Sequence, residues 1–119
     1  MLQHVAIEVA PDEVERSLEF WSLVGFEQVD SPPPLGDSVR WLEREETQIH
    51  LLLTDARTAP LQGHPAIVVP DHAAAKQRLR QAGFEVEDTR RLWGADRAFA
   101  IAPGGHRVEL MAAPPPTAR

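Results

Sequence analysis

The chain writes nearly the same half-domain twice. His4-Val5-Ala6-Ile7-Glu8-Val9 reads against His64-Pro65-Ala66-Ile67-Val68-Val69, with His, Ala, Ile and Val coinciding. Gly25-Phe26-Glu27 is answered by Gly83-Phe84-Glu85, and Gln48-Ile49-His50-Leu51-Leu52 by Arg107-Val108-Glu109-Leu110-Met111. The offset between copies drifts by only a residue or two, which loop adjustment accommodates. Two copies make a tandem rather than a solenoid. With 119 residues and 43% hydrophobic content, the chain is the size of one domain, and either half alone is too small for a sufficient core.

Each copy has the same pattern of elements. Residues 3 to 10 alternate, with Val5, Ile7 and Val9 on one face and His4, Ala6, Glu8 and Ala10 on the other, as in a half-buried strand. Pro11 suits the first turn of a helix, Asp12 and Glu13 complement its positive end, and Val14, Leu18, Trp21 and Val24 recur at helical spacing up to a stop at Gly25. A short strand at 26 to 30, a proline-rich loop through Pro32 to Asp37, and strands near 38 to 43 and 47 to 53 complete the first copy.

Residues 54 to 63 join the halves. The second copy opens at His64, takes Asp71 as helix N-cap and closes the helix at Gly83. Strands follow near 84 to 88, 96 to 102 and 107 to 112, the last two joined by Pro103-Gly104-Gly105-His106. The fold class expected is therefore α+β, two tandem βαβββ modules over about 2–53 and 64–112 within a single domain, 1–113. Residues 114 to 119 are expected to be a flexible tail.

One potential metal ligand stands at each end of each copy: His4 and His50 in the first, His64 and Glu109 in the second, at intervals that match to within a residue. Strand alternation sets His4 and His50 opposite aliphatic rows, and Glu109 opposite Val108 and Leu110. A carboxylate between two aliphatic residues is costly to bury without a partner. With no cysteine in the chain, any metal must use imidazole and carboxylate, a donor set for Zn, Ni, Co, Fe or Mn. Calcium and magnesium prefer more oxygen ligands.

Formal charge of −6 argues against a nucleic acid or an anionic membrane surface as partner, since either selects a basic surface. A small-molecule substrate is the expected partner. The chain opens without a charged and apolar leader and has no apolar run of bilayer length, so a cytoplasmic location is expected.

Paired βαβββ modules with His near the start of the first strand and His or Glu in the last strand resemble the vicinal oxygen chelate superfamily. That group includes glyoxalase I, fosfomycin-resistance proteins, methylmalonyl-CoA epimerase, extradiol dioxygenases and bleomycin-resistance proteins. The resemblance runs from residue 2 to 112. It is carried by His4-Val5-Ala6-Ile7, by Phe20-Trp21 before Val24-Gly25-Phe26, and by Pro103-Gly104-Gly105-His106-Arg107-Val108-Glu109-Leu110.

The resemblance implies a cup-shaped or partly closed mixed sheet with helices on its outer face, and a divalent transition metal held by His4, His50, His64 and Glu109. It implies glyoxalase-type isomerase, lyase or addition chemistry on a substrate whose vicinal oxygens chelate the ion. Extradiol dioxygenase chemistry, or metal-free binding as in bleomycin-resistance proteins, are the alternatives. His50 departs from the family, where many enzymes have glutamate, and Ala102 departs where aspartate often precedes the Pro-Gly turn.

Glu109 and Glu8 are the candidate proton carriers. Arg97, Phe99 and Trp41 are candidate substrate contacts, although Trp41 and Trp93 are assigned first to the core. His72 and His106, at a helix start and a turn, are assigned to the surface. Similar two-module proteins commonly dimerise, sometimes pairing modules across chains, so a homodimer is expected.

Overall fold

The computed structural model of the chain describes residues 1–117. They form two compact units: the first is Met1–Leu61 with the turn Pro103–His106, and the second is built from 62–102 and the residues after His106.

In the first unit the elements are β1 (His4–Val9), α1 (Val14–Leu23), β2 (Glu27–Val29), β3 (Val39–Arg44) and β4 (Thr47–Leu53). They make an open four-stranded sheet in the order β1-β4-β3-β2. β1 runs parallel to β4, and β3 is antiparallel to both β4 and β2. The second unit repeats this arrangement with β5 (Ala66–Val68), α2 (His72–Gln81), β6 (Val86–Leu92), β7 (Ala95–Ala102) and β8 (His106–Met111), in the order β5-β8-β7-β6. The expected α+β fold of two βαβββ repeats is the observed one.

The repeated Gly-Phe pair has a structural reason. After α1, Gly25 sits at φ +98° and donates its N–H to Ser22 O at 3.1 Å, while the Phe26 N–H reaches Trp21 O at 2.9 Å. After α2, Gly83 at φ +89° and Phe84 make the equivalent bonds to Arg80 O and Leu79 O. This pair of bonds is a Schellman cap, which needs a left-handed residue followed by an apolar one that folds back onto the helix. Both phenylalanines are buried.

The first core is aromatic: Trp21 meets Phe20 and Phe26 edge to face at 5.2 and 5.3 Å, next to buried Val9, Leu42, Ile49 and Leu51. Burying each such side chain stabilises by about 1.5–3 kcal/mol. The second core is finer grained, with Ala98, Ala100 and Ala102 alternating along β7 and Val108 and Leu110 along β8, all fully or nearly fully buried.

Several local expectations are corrected. The proline-rich stretch is a 3-10 helix over Pro33–Ser38, kinked at Gly36, because the fixed φ of proline suits a helical turn as well as a loop. Another 3-10 turn, Pro11–Glu13, precedes α1. The strand expected at 84 to 88 begins at Val86 and runs to Leu92, since the Schellman cap consumes Phe84. Asp71 occupies the N-cap position, but its side chain makes no capping bond.

Trp93 is 38% exposed and lies at a positive φ, so it is not core. His72 and His106 are buried, not superficial, because each imidazole satisfies a backbone carbonyl. His72 Nε2–H donates to Leu110 O at 3.1 Å and His106 Nε2–H to Glu8 O at 2.6 Å. Of the expected tail, Ala118 and Arg119 lie outside the described residues, and Pro114–Thr117 is exposed coil. No helix among the described residues is long and apolar enough to cross a membrane.

Candidate functional site

In the first unit three rings stack across three neighbouring strands. Register places Trp41 of β3 opposite His50 of β4, and His50 opposite Ala6 of β1, two residues beyond His4. The His50 ring lies 4.0 Å from Trp41 at an interplanar angle of 1°, and 4.0 Å from His4 at 15°. Trp41 is thus not a core residue but half of a platform on the sheet face away from the aliphatic rows.

Hydrogen bonds fix the two imidazoles. His50 Nε2–H donates to Gln48 Oε1 at 2.7 Å, and the Gln48 amide in turn donates to Glu43 Oε1 at 2.9 Å. His4 Nδ1–H donates to Gln3 Oε1 at 2.6 Å. Each ring therefore has one nitrogen engaged and the other without a hydrogen bond among the described residues. Burial of His50, and secondarily the charge of His4, lower its pKa from the ordinary 6.5 and favour the neutral ring.

Glu8 lies on the same strand face and is committed elsewhere. Its Oε1 accepts from both the Thr58 N–H and the Thr58 hydroxyl, each at 3.0 Å. Glu13 pairs with Arg57 through two bonds of 3.0 Å, so the connecting segment is held to the first unit at two successive residues. The structure gives Glu8 a clamping role and does not bring it to His4 or His50.

In the second unit His64 and Glu109 come together. β5 and β8 are in register with Ala66 beside Glu109, and His64 Nε2 stands 3.1 Å from Glu109 Oε1. His64 Nδ1–H donates to Gln62 O at 2.7 Å. The second oxygen of Glu109 accepts from Arg97 Nε at 2.9 Å. Glu109 is 7% exposed, so the carboxylate is desolvated and needs these partners. Burial alone raises its pKa, but the hydrogen bonds from Arg97 and His64 and their charges outweigh it and hold the carboxyl below 4.5.

Phe99 and Arg97 share the face that Glu109 occupies. Phe99 meets His64 edge-on at 4.9 Å, and the Arg97 guanidinium lies 5.7 Å from the Trp93 ring. Arg107 lies with its guanidinium carbon 4.1 Å from the Phe99 centroid. Sequence reasoning had not singled out Arg107, although it stands two residues before Glu109 and alternation alone places it on that face.

The four proposed ligands are therefore paired as the repeat pairs them, His4 with His50 and His64 with Glu109. Among the described residues no three His, Asp or Glu side chains gather as a metal-holding group. The donor chemistry nonetheless fits a divalent transition metal. His4 and His50 each give one N–H to an oxygen acceptor and leave the other nitrogen without a hydrogen bond among the described residues, the arrangement that orients metal-bound imidazoles, while His64 is anchored the same way through Nδ1. At His64 the retained nitrogen faces a carboxylate oxygen, a contact that requires a proton or a cation between them.

Comparison with known proteins agrees with this architecture. No curated protein matches the chain. Among solved structures, one assigned to the glyoxalase family from Bacillus anthracis is 25% identical, with 93% of each chain covered and a TM-score of 0.82. A genomically encoded fosfomycin resistance protein from Listeria monocytogenes is 17% identical, covering 96% of this chain and 91% of its own, with a TM-score of 0.77. The bleomycin resistance determinant of the transposon Tn5 is 14% identical, covering 90% and 94%, with a TM-score of 0.63. These last two likenesses concern the fold. The sequence model of the Glyoxalase/Bleomycin resistance protein/Dioxygenase superfamily matches residues 2–110, and the chain belongs to that superfamily.

Proposed function

We propose that the protein is a metal-dependent enzyme of the glyoxalase type, acting on a small substrate with vicinal oxygens by isomerase, lyase or addition chemistry. His4 and His50 of the first unit and His64 and Glu109 of the second are the candidate ligands of a divalent transition metal. The observation that carries this reading is the hydrogen bonding of the three histidines. His4 and His50 are each fixed through one N–H with the other nitrogen not hydrogen-bonded among the described residues, while His64 is fixed through Nδ1 and turns its other nitrogen to the fourth donor, the buried carboxylate of Glu109. When bound, such an ion supplies Lewis acidity to adjacent substrate oxygens.

The chain's own residues supply the rest. Arg97 fixes one oxygen of Glu109 and leaves the other toward His64, so the carboxylate is oriented and held ionised. An ionised carboxylate beside a substrate carbon is suited to move a proton. Trp41 and Phe99 offer flat apolar surface on which a small substrate can rest.

Metal content measured by inductively coupled plasma on protein purified without chelator tests the reading. The wild type is expected to carry close to one divalent ion per site and the His4→Ala/Glu109→Ala variant little. Equally negligible metal in both would overturn it.

A non-catalytic small-molecule binder is the second reading. It is favoured by the Arg97–Glu109–His64 contacts, which satisfy the buried carboxylate without an ion. Metal-independent ligand binding without turnover is its signature.

A further inference from the structure

Among the described residues, Arg107 is the one arginine on the Glu109 face with no side-chain hydrogen bond or ion pair. Arg97 gives its Nε–H to Glu109 and an Nη1–H to Arg90 O at 3.1 Å. Arg107 makes no side-chain hydrogen bond or ion pair among the described residues, and it is half-buried over Phe99. Phe99 in turn touches His64, which touches Glu109. Arg107 is thus joined to the proposed metal ligands through a continuous row of contacts, and Arg97 already balances the negative charge of Glu109.

A guanidinium offers five N–H donors in a planar fork that matches a carboxylate or phosphonate. Stacking on an aromatic ring fixes the plane of that fork and lowers the ordering cost of a second contact at its edge. On a chain of net charge −6, a half-buried arginine without a carboxylate partner leaves a local positive charge, and it is the group that would draw an anion to this face.

We propose that Arg107, held over Phe99, anchors an oxyanion of the substrate, so that the substrate carries a carboxylate or phosphonate group besides the vicinal oxygens of the metal site. The inference rests on the functional reading above for the identity of the second group, but the anion contact itself does not require the metal.

The test is a titration of the full-length protein with methylphosphonate, acetate and neutral acetamide at low ionic strength. It is followed by the Nε–Hε resonance of Arg107 in nitrogen-15 spectra and by calorimetry. The Arg107 resonance should shift and saturate with one or both anions and not with acetamide, and the tighter anion identifies the acid class. Arg107→Gln should weaken that binding about tenfold or more, the size of a lost charge-assisted contact. Arg91→Gln, which removes a highly exposed arginine paired with Asp96, should leave it unchanged.

A still Arg107 resonance in the wild type, equal affinity in Arg107→Gln, or an equal response to acetamide overturns the proposal. The wild-type resonance decides the matter even if the variant fails to fold. Failure of metal loading with a responsive Arg107 would sink the enzymatic reading alone. Metal loading with a silent Arg107 would sink this one alone.

Discussion

His50 concentrates the consequences of placing a titratable ring inside a stack. It is 8% exposed, flanked by Trp41 and His4, and its pKa lies below 6.5 because burial disfavours the cation. The native state therefore binds fewer protons at this position than the unfolded chain. Its contribution to stability is complete above 6.5 and is lost as pH falls from there through the folded value. Urea unfolding across about pH 5 to 8 should show stability rising with pH on the acidic side, and His50→Phe, which keeps a flat ring without a proton, should flatten that rise. Parallel slopes in the two proteins would count against it. Alternation along strands made the faces of His4, His50 and Glu109 legible. The clamping of Glu8 by Thr58 and the burial of His106 on Glu8 O were not, since both depend on contacts between residues distant in sequence.

At the scale of elements, the repeated Gly-Phe step is the best-explained part of the fold. Gly25 lies where only glycine, and to a lesser degree asparagine, is comfortable, and a Cβ there would come within 3.3 Å of Arg44 Cδ. Gly25→Ala should cost about 1–2 kcal/mol through left-handed strain, seen as a lower urea midpoint at unchanged slope. Gly25→Asn should cost less, and equal losses would show that crowding by Arg44 dominates. Helices α1 and α2 and the strand pairs were readable from periodicity and turn residues. The proline-rich segment was misread because proline marks the end of a strand without saying whether loop or 3-10 helix follows. Trp93 was misassigned because an aromatic residue carries the same hydrophobic signal in a core and at a turn, where its Nε1–H here reaches Ala113 O.

At the scale of the molecule, each sheet ends in two edge strands, β1 and β2 in the first and β5 and β6 in the second. Such edges invite pairing unless covered. Leu2, Leu35, Leu52 and Leu61 are also exposed. A second copy of the chain is the partner that fits the symmetric habit of small domains. Light scattering at micromolar concentration should give twice the 13.2 kDa chain mass, and a monomer mass would remove the dimer from the functional reading. By itself the sequence determined the two-copy plan, the order of strands and α-helices and the strand faces of His4, His50 and Glu109, because strand and helix periods are local properties of the chain. Only the tertiary structure decided that Trp41 stacks on His50, that Arg97 satisfies Glu109 while Arg107 lies over Phe99, and that Glu8 is committed to Thr58. Those outcomes depend on which strands become neighbours and how far each side chain reaches, and strand alternation gives a direction but not a distance.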